Sequence, residues 1–194
     1  AQDVGIGVVR VSHITCDLAD LASVVQFAKE FKAKFQVCHL LVNNAGIMAA
    51  PFIPTKQGFE IQYGVNHLGH FLLTQHLLPC LIAVQGRVVV VSAGAAAASY
   101  PKGYDPETIL IDSVAAKSKW SRVAAYAQSK LCNILFAKEL QRRYGEKGIL
   151  AVSLHPGIVR MTNLSRYVPR VFAIIFDWVG LLFFKTPLEG AQTT

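Results

Sequence analysis

The stretch "GRVVVVSAG", Gly86 to Gly94, decides the fold. Four consecutive valines between glycines read as a strand covered on both faces, the pattern of a central strand in a parallel sheet. Upstream, "VCHLLVNNAG" (37–46) is a second buried strand that stops at Asn43, and a helical stretch from about Phe59 to Val84, interrupted by Gly64 and Gly69, links the two. Downstream, after a polar loop from Ala95 to about Ser118, "KWSRVAAYAQSKLCNILFAKELQRRYGEKG" (119–148) is a helix closing on Lys/Arg and Gly145 or Gly148. "ILAVSLHPG" (149–157) is the next strand. At the other end, "GVVRVSHITCDL" (7–18) reads as a strand ending at Asp17, with helical spacing in "ADLASVVQFAKEFKAKF" (19–35). Strands alternating with crossover helices give a doubly wound parallel α/β sheet, whose ligands bind beyond the carboxyl ends of the strands.

Composition narrows the function. A chain of 194 residues, 53% hydrophobic and 16% charged, builds one α/β domain with a sizeable core. Nineteen Lys and Arg against twelve Asp and Glu give +7, which suits an anionic cofactor or a membrane surface. There is no arginine-rich run and no aromatic-basic interleaving, so nucleic acid is not an expected partner. Cys16, Cys38, Cys80 and Cys132 are scattered among apolar residues without ligand spacing, and are expected to be reduced, buried thiols of an intracellular protein. The opening residues carry no signal-peptide pattern and no initiator Met, so Ala1 is not expected to be the natural start.

The longest apolar run, "VFAIIFDWVGLLFF" (171–184), is shorter than the roughly 20 residues of a membrane span and contains Asp177. It admits three roles: a wall over an apolar substrate pocket, a monotopic contact with a membrane surface, or core and dimer packing. The location is therefore left between cytoplasmic and membrane-associated.

The residues that stand out lie at strand ends or on the helix that follows: Asp17, "NNAG" (43–46), "SAG" (92–94), "HPG" (155–157) and the pair Tyr126 and Lys130. Four residues apart, Tyr126 and Lys130 share a helix face. An ammonium beside a phenol favours the phenolate and draws its pKa down from about 10, towards general acid or base work. Alone, Tyr-x-x-x-Lys is a weak signal that any amphipathic helix produces. A bare turn explains "NNAG" equally well. The clusters taken in order are harder to obtain by chance.

In "CDL" (16–18), "NNAG", "NHLGHFLLT" (66–74), "RVVVVSA" (87–93), "YAQSK" (126–130) and "HPG", the chain resembles the short-chain dehydrogenase/reductase family over essentially its whole length, and within it the retinol-dehydrogenase branch. The resemblance implies a Rossmann-like fold and hydride transfer between NAD or NADP and an apolar alcohol or ketone: a retinoid, a steroid or another lipid-like molecule. It implies Tyr126 as proton donor or acceptor, Lys130 lowering the tyrosine pKa and holding the nicotinamide ribose, and Asn66 keeping a water in the proton relay. It places Asp17 beside the adenine, Asn43, Ala45 and Gly46 on the adenosine ribose side, and Pro156, Gly157 and Thr162 at the nicotinamide carboxamide. A homodimer is expected only of a full-length parent.

The chain departs from that family twice. The family's catalytic serine falls on Ala93, and neighbouring Ser92 points to the opposite face, which is expected to cost on the order of 10²-fold in rate. The glycine-rich TGxxxGxG turn is absent, and the chain stops at "TPLEGAQTT" before the family's last strand. We therefore expect a single truncated domain over 1–194 that lacks the first βαβ unit and the last strand, and whose remaining strands lie beside a bare edge. A non-catalytic binding or regulatory protein derived from such an enzyme is the alternative.

Overall fold

The computed structural model describes residues 10–112, 114–159, 164, 166–167 and 185–193. Three parallel strands form its sheet in the order β1 (Leu40–Asn43), β2 (Arg87–Val91), β3 (Leu150–Leu154). The helix α1 (Leu21–Lys34) precedes β1, α2 (Ile61–Tyr63), α3 (Gly69–Ile82), α4 (Val114–Lys119) and α5 (Arg122–Tyr144) run between the strands, and α6 (Pro187–Ala191) follows them. The Rossmann-like sheet read from the valine run is present, with β2 at its centre.

Local chemistry sets the helix ends. Asp20 caps α1 by accepting from the amide of Ala22 at 3.0 Å, and Lys32 and Lys34 sit in its last turn, where the helix dipole favours cations. Ser121 caps α5 in the same way, and the chain leaves that helix through a 3₁₀ turn (Gly145–Lys147) and a left-handed Gly148. The helical stretch expected from about Phe59, with interruptions at Gly64 and Gly69, is α2 and α3 joined through a π-helical turn, Gly64–Leu68, between those two glycines. Gly69 is the contact point of this rod: a Cβ there would lie 2.8 Å from the carbonyl oxygen of Leu18.

Parallel register assigns the faces. Leu41, Val88 and Ala151 are level across the strands, as are Asn43, Val90 and Ser153. This face meets α1, α3 and α5, where Val24, Ala28, Leu77, Leu81, Val88, Val90, Ala137 and Leu140 form the main core. Leu77, Leu81 and Leu140 are fully buried, each worth about 1.5–3 kcal/mol of transfer free energy. On the opposite face Leu40, Val42, Leu150 and Val152 are exposed, at 53, 37, 43 and 38%.

Two expectations are corrected. Residues 10–17 do not form a strand: the backbone there makes no ladder, and the amide of Asp17 instead donates to Ser23 Oγ at 2.9 Å. A strand needs a neighbour, and among the described residues none lies beside this segment. The polar loop from Ala95 to Ser118 is also more ordered than read, holding two 3₁₀ turns (Gly94–Ala98 and Pro106–Thr108) and most of α4. The apolar run 171–184 and Thr162 lie outside the described residues.

Candidate active site

A cavity of about 930 Å³ opens at the carboxyl ends of the strands. That volume is ample for a small organic ligand. Ala45 and Gly46 line it after β1, Val91 at the end of β2 with Ser92, Ala93 and Gly94 beyond it, and His155, Pro156 and Gly157 after β3. Tyr126 and Lys130 reach it from α5. Of the ten residues singled out, the structure thus gathers six here: Ala45, Gly46, Tyr126, Lys130, Pro156 and Gly157.

Tyr126 and Lys130 lie side by side, with the lysine Nζ 5.8 Å from the centre of the tyrosine ring. Both are buried. Burial pushes the Tyr126 hydroxyl up to about 12 and the Lys130 ammonium down to about 8. This corrects the expectation that the lysine pulls the phenol down: desolvation of the phenolate outweighs the neighbouring charge. Lys130 Nζ is turned to the strand end, donating to the Val91 carbonyl at 3.0 Å, and Asn133 Nδ2 donates to the same oxygen at 3.1 Å.

Asn66 is fully buried in the π-helical turn, a distortion frequent at functional sites. Its amide accepts from the backbone N–H of Ile47 at 2.8 Å, and donates to the Ile47 carbonyl and to Ser129 Oγ, both at 2.9 Å. Both N–H groups are thereby spent on fixing the loop after "NNAG" against α5. A Cβ on Gly46 would meet Asn66 Oδ1 at 3.3 Å and Lys130 Nζ at 3.6 Å, so the loop lies directly over the candidate residues. Gly157 has φ +90°, a conformation that favours glycine, and turns the chain at the cavity wall.

Of the other four residues, Asn66 lies behind the wall and two fall elsewhere. Asn43 points at the helices, donating to Thr74 Oγ1 at 2.9 Å, and ties β1 to α3. Asp17 is exposed and accepts from the amide of Ala19. Neither lines the cavity, and Thr162 is outside the described residues. Ser92 also borders the cavity, but its hydroxyl donates to the Lys130 carbonyl at 2.7 Å, and Ala93 beside it brings none. Sequence reasoning missed Asn133, although its place three residues beyond Lys130 on α5 was a signal, and missed Arg166 on the wall, which no motif marks.

A family model described as short chain dehydrogenase matches residues 3–105 and 106–170. The chain belongs to the short-chain dehydrogenase family. It is 42% identical to retinol dehydrogenase 14 of Homo sapiens over 193 residues, which are 98% of this chain and 54% of that protein. With polyprenol dehydrogenase of Homo sapiens it shares 38% identity over 192 residues, 95% of this chain and 56% of the relative. Among solved structures, the NADPH-bound carbonyl reductase from chicken fatty liver superposes with a TM-score of 0.56 at 25% identity, covering 78% of this chain and 59% of that one. The chain spans about half the length of the curated relatives it matches. Among the described residues, no helix is long and apolar enough to cross a membrane.

Proposed function

We propose that this chain carries the proton-transfer side of an oxidoreductase that uses NAD or NADP and acts on an apolar alcohol or ketone of retinoid, steroid or other lipid-like type. The observation that carries the reading is the single cavity that joins Tyr126 and Lys130 to Gly46 and to the turn at Pro156 and Gly157. The names of the retinol and polyprenol dehydrogenases support an apolar, isoprenoid-like alcohol as substrate. Among the family's members we place the chain nearest the oxidoreductase domain of the WW-domain-containing oxidoreductase, on "NHLGHFLLT", "SKLCNILFAKELQRR" and the length of the loop before Tyr126.

The residues present fit the nicotinamide end of such a cofactor: a wall opened by Gly46 and Gly157, and a buried ammonium whose present partner is a backbone carbonyl. When bound, the nicotinamide supplies or accepts the hydride at C4. In the reduction direction Tyr126, protonated at neutral pH because burial holds it near 12, gives its proton to the nascent alkoxide. Lys130 holds the ribose hydroxyls and lends positive charge beside the phenol. Asn66 fixes the loop at Ile47 and, through Ser129, the turn of α5 that carries both groups. Pro156 and Gly157 shape the wall against the nicotinamide ring, and Ala45 and Gly46 border the ribose side. Asp17 and Asn43 keep their proposed places by the adenosine only if residues outside this chain complete that half of the site.

The test is a titration of the purified chain with NADH and NADPH, followed by turnover with retinol and a polyprenol. Saturable binding and a turnover that Tyr126→Phe lowers by 10²-fold or more are expected. A folded chain that binds neither nucleotide would overturn the reading. A second reading, a non-catalytic binding protein descended from such an enzyme, is favoured by one observation: Ala93 brings no hydroxyl to the wall, and the neighbouring Ser92 hydroxyl is donated to the Lys130 carbonyl.

A further inference from the structure

Val91 ends β2 with a carbonyl that accepts two hydrogen bonds, one from Lys130 and one from Asn133. Asn133 is itself buried and oriented: its amide oxygen lies 3.2 Å from His67 Nδ1, which donates to it from the π-helical turn. Burial lowers the His67 pKa, and the ring packs among Tyr63, Phe71 and Phe136. The π-helical turn thus sends two consecutive side chains to α5. Asn66 takes Ser129 and His67 takes Asn133, one helical turn apart and on either side of Lys130 in sequence.

Two donors on one carbonyl have a consequence for whichever must leave. A buried carbonyl stripped of its partner costs its full desolvation penalty, whereas one that keeps a second partner stays satisfied. Lys130 sits on the cavity wall and, in the function proposed above, must turn from Val91 to the ribose. Asn133 is not on that wall and has no such task.

We infer that Asn133, oriented by His67, is a positioning residue that holds the Val91 carbonyl in reserve, so that Lys130 can leave it for the ribose without orphaning a buried acceptor. The ribose step rests on the oxidoreductase reading. The freedom of Lys130 does not, and can be measured without any cofactor.

The experiment labels the lysines of the purified chain with a small amine-acetylating reagent and reads Lys130 by mass spectrometry against exposed Lys29 as internal reference. Asn133→Leu fills the same space without a donor, so Lys130 becomes the sole partner of Val91 and detaches less often. Its labelling is expected to slow roughly fivefold or more, while Asn133→Gln, which retains an amide, recovers part of the rate. His67→Phe keeps the ring and removes the hydrogen bond, and is expected to slow labelling in the same direction by less. It also serves if Asn133→Leu fails to fold. Where NADH binds the wild type, Asn133→Leu is expected to weaken it about tenfold, and to have no effect once Lys130 is already Met. Unchanged Lys130 labelling in a folded Asn133→Leu or His67→Phe chain overturns the inference. No NADH binding by the wild type, with labelling slowed as expected, overturns the oxidoreductase reading and leaves the reserve donor standing.

Discussion

The two faces of this sheet are built from the same kinds of residue and have opposite fates. Leu41 and Ala151 pack into the core beneath α1, α3 and α5, while Val42 and Val152, one step along the same strands, are exposed. Only the central strand hides its residues on both sides, with Val89 and Val91 buried as well as Val88 and Val90. An apolar strand therefore marks what a chain is prepared to bury, and the helices present decide what it does bury.

The largest expected effect tests the covered face. Leu81 is fully enclosed between α3 and the sheet, and Leu81→Ala removes buried methyl groups and leaves a cavity, costing about 2–5 kcal/mol in urea unfolding. Leu150→Ala, on the open face, is expected to stay within about 0.5 kcal/mol. Equal losses would mean that the open face is covered in solution.

That asymmetry also sorts what was legible in the sequence. The valine run, the strand to Asn43 and the helix of Tyr126 were readable because each has a partner here to complete the pattern. The part of "GVVRVSHITCDL" from Arg10 on was misread for the converse reason: its apolar residues suit a strand, but hydrogen bonds to a neighbour make one, and the described residues offer none. At the candidate site, Tyr126, Lys130, Gly46 and the turn at Gly157 could be named from their motifs. The interruption at Gly64 and Gly69 was readable, but not that it is a π-helical turn, since i to i+5 bonding leaves no mark on residue spacing, and with it went the tasks of Asn66 and His67 on α5. The pKa of Tyr126 was misjudged because spacing reports the neighbouring charge and not the burial of both groups.

A contrast continues past the end of β2. Both Ser92 and Ala93 border the cavity, but Ser92 spends its hydroxyl proton on the Lys130 carbonyl and Ala93 has none. Ala93→Ser therefore supplies the missing donor, and is expected to raise turnover on the order of 10²-fold. Turnover that stays flat in a chain that binds NADH would favour the non-catalytic reading.

Lys130 joins the two faces, and its charge gives the next effect. Its folded pKa of about 8 lies below the ordinary value of 10.5 because burial penalises the ammonium. Between these values the unfolded chain holds more of the proton, so this group's contribution raises stability as pH rises. Raised cysteine and tyrosine pKa values oppose the trend and cancel in a comparison with Lys130→Met. The stability of wild type relative to Lys130→Met is expected to improve by about 2 kcal/mol from pH 8 to pH 10. A difference independent of pH would show that the lysine is solvated. Cofactor binding should follow the opposite course and weaken as the ammonium is lost above about pH 8.

The smallest effect on folding carries the most information about association. Among the described residues β1 has no strand on its outer side, so its backbone groups and the exposed Leu40 and Val42 form an apolar edge. Such edges pair with other chains, and a lysine is the usual obstacle. Leu40→Lys places a charge on the open face without touching the core. It is expected to change unfolding by no more than about 0.5 kcal/mol while suppressing concentration-dependent association in sedimentation velocity. If the variant instead loses more than about 1 kcal/mol, Leu40 is buried in the solution state, and the difference between the two faces belongs to the isolated chain alone. If folding and association are both unmoved, the edge is protected by the twist of a three-stranded sheet, and the exposed residues carry no liability of their own.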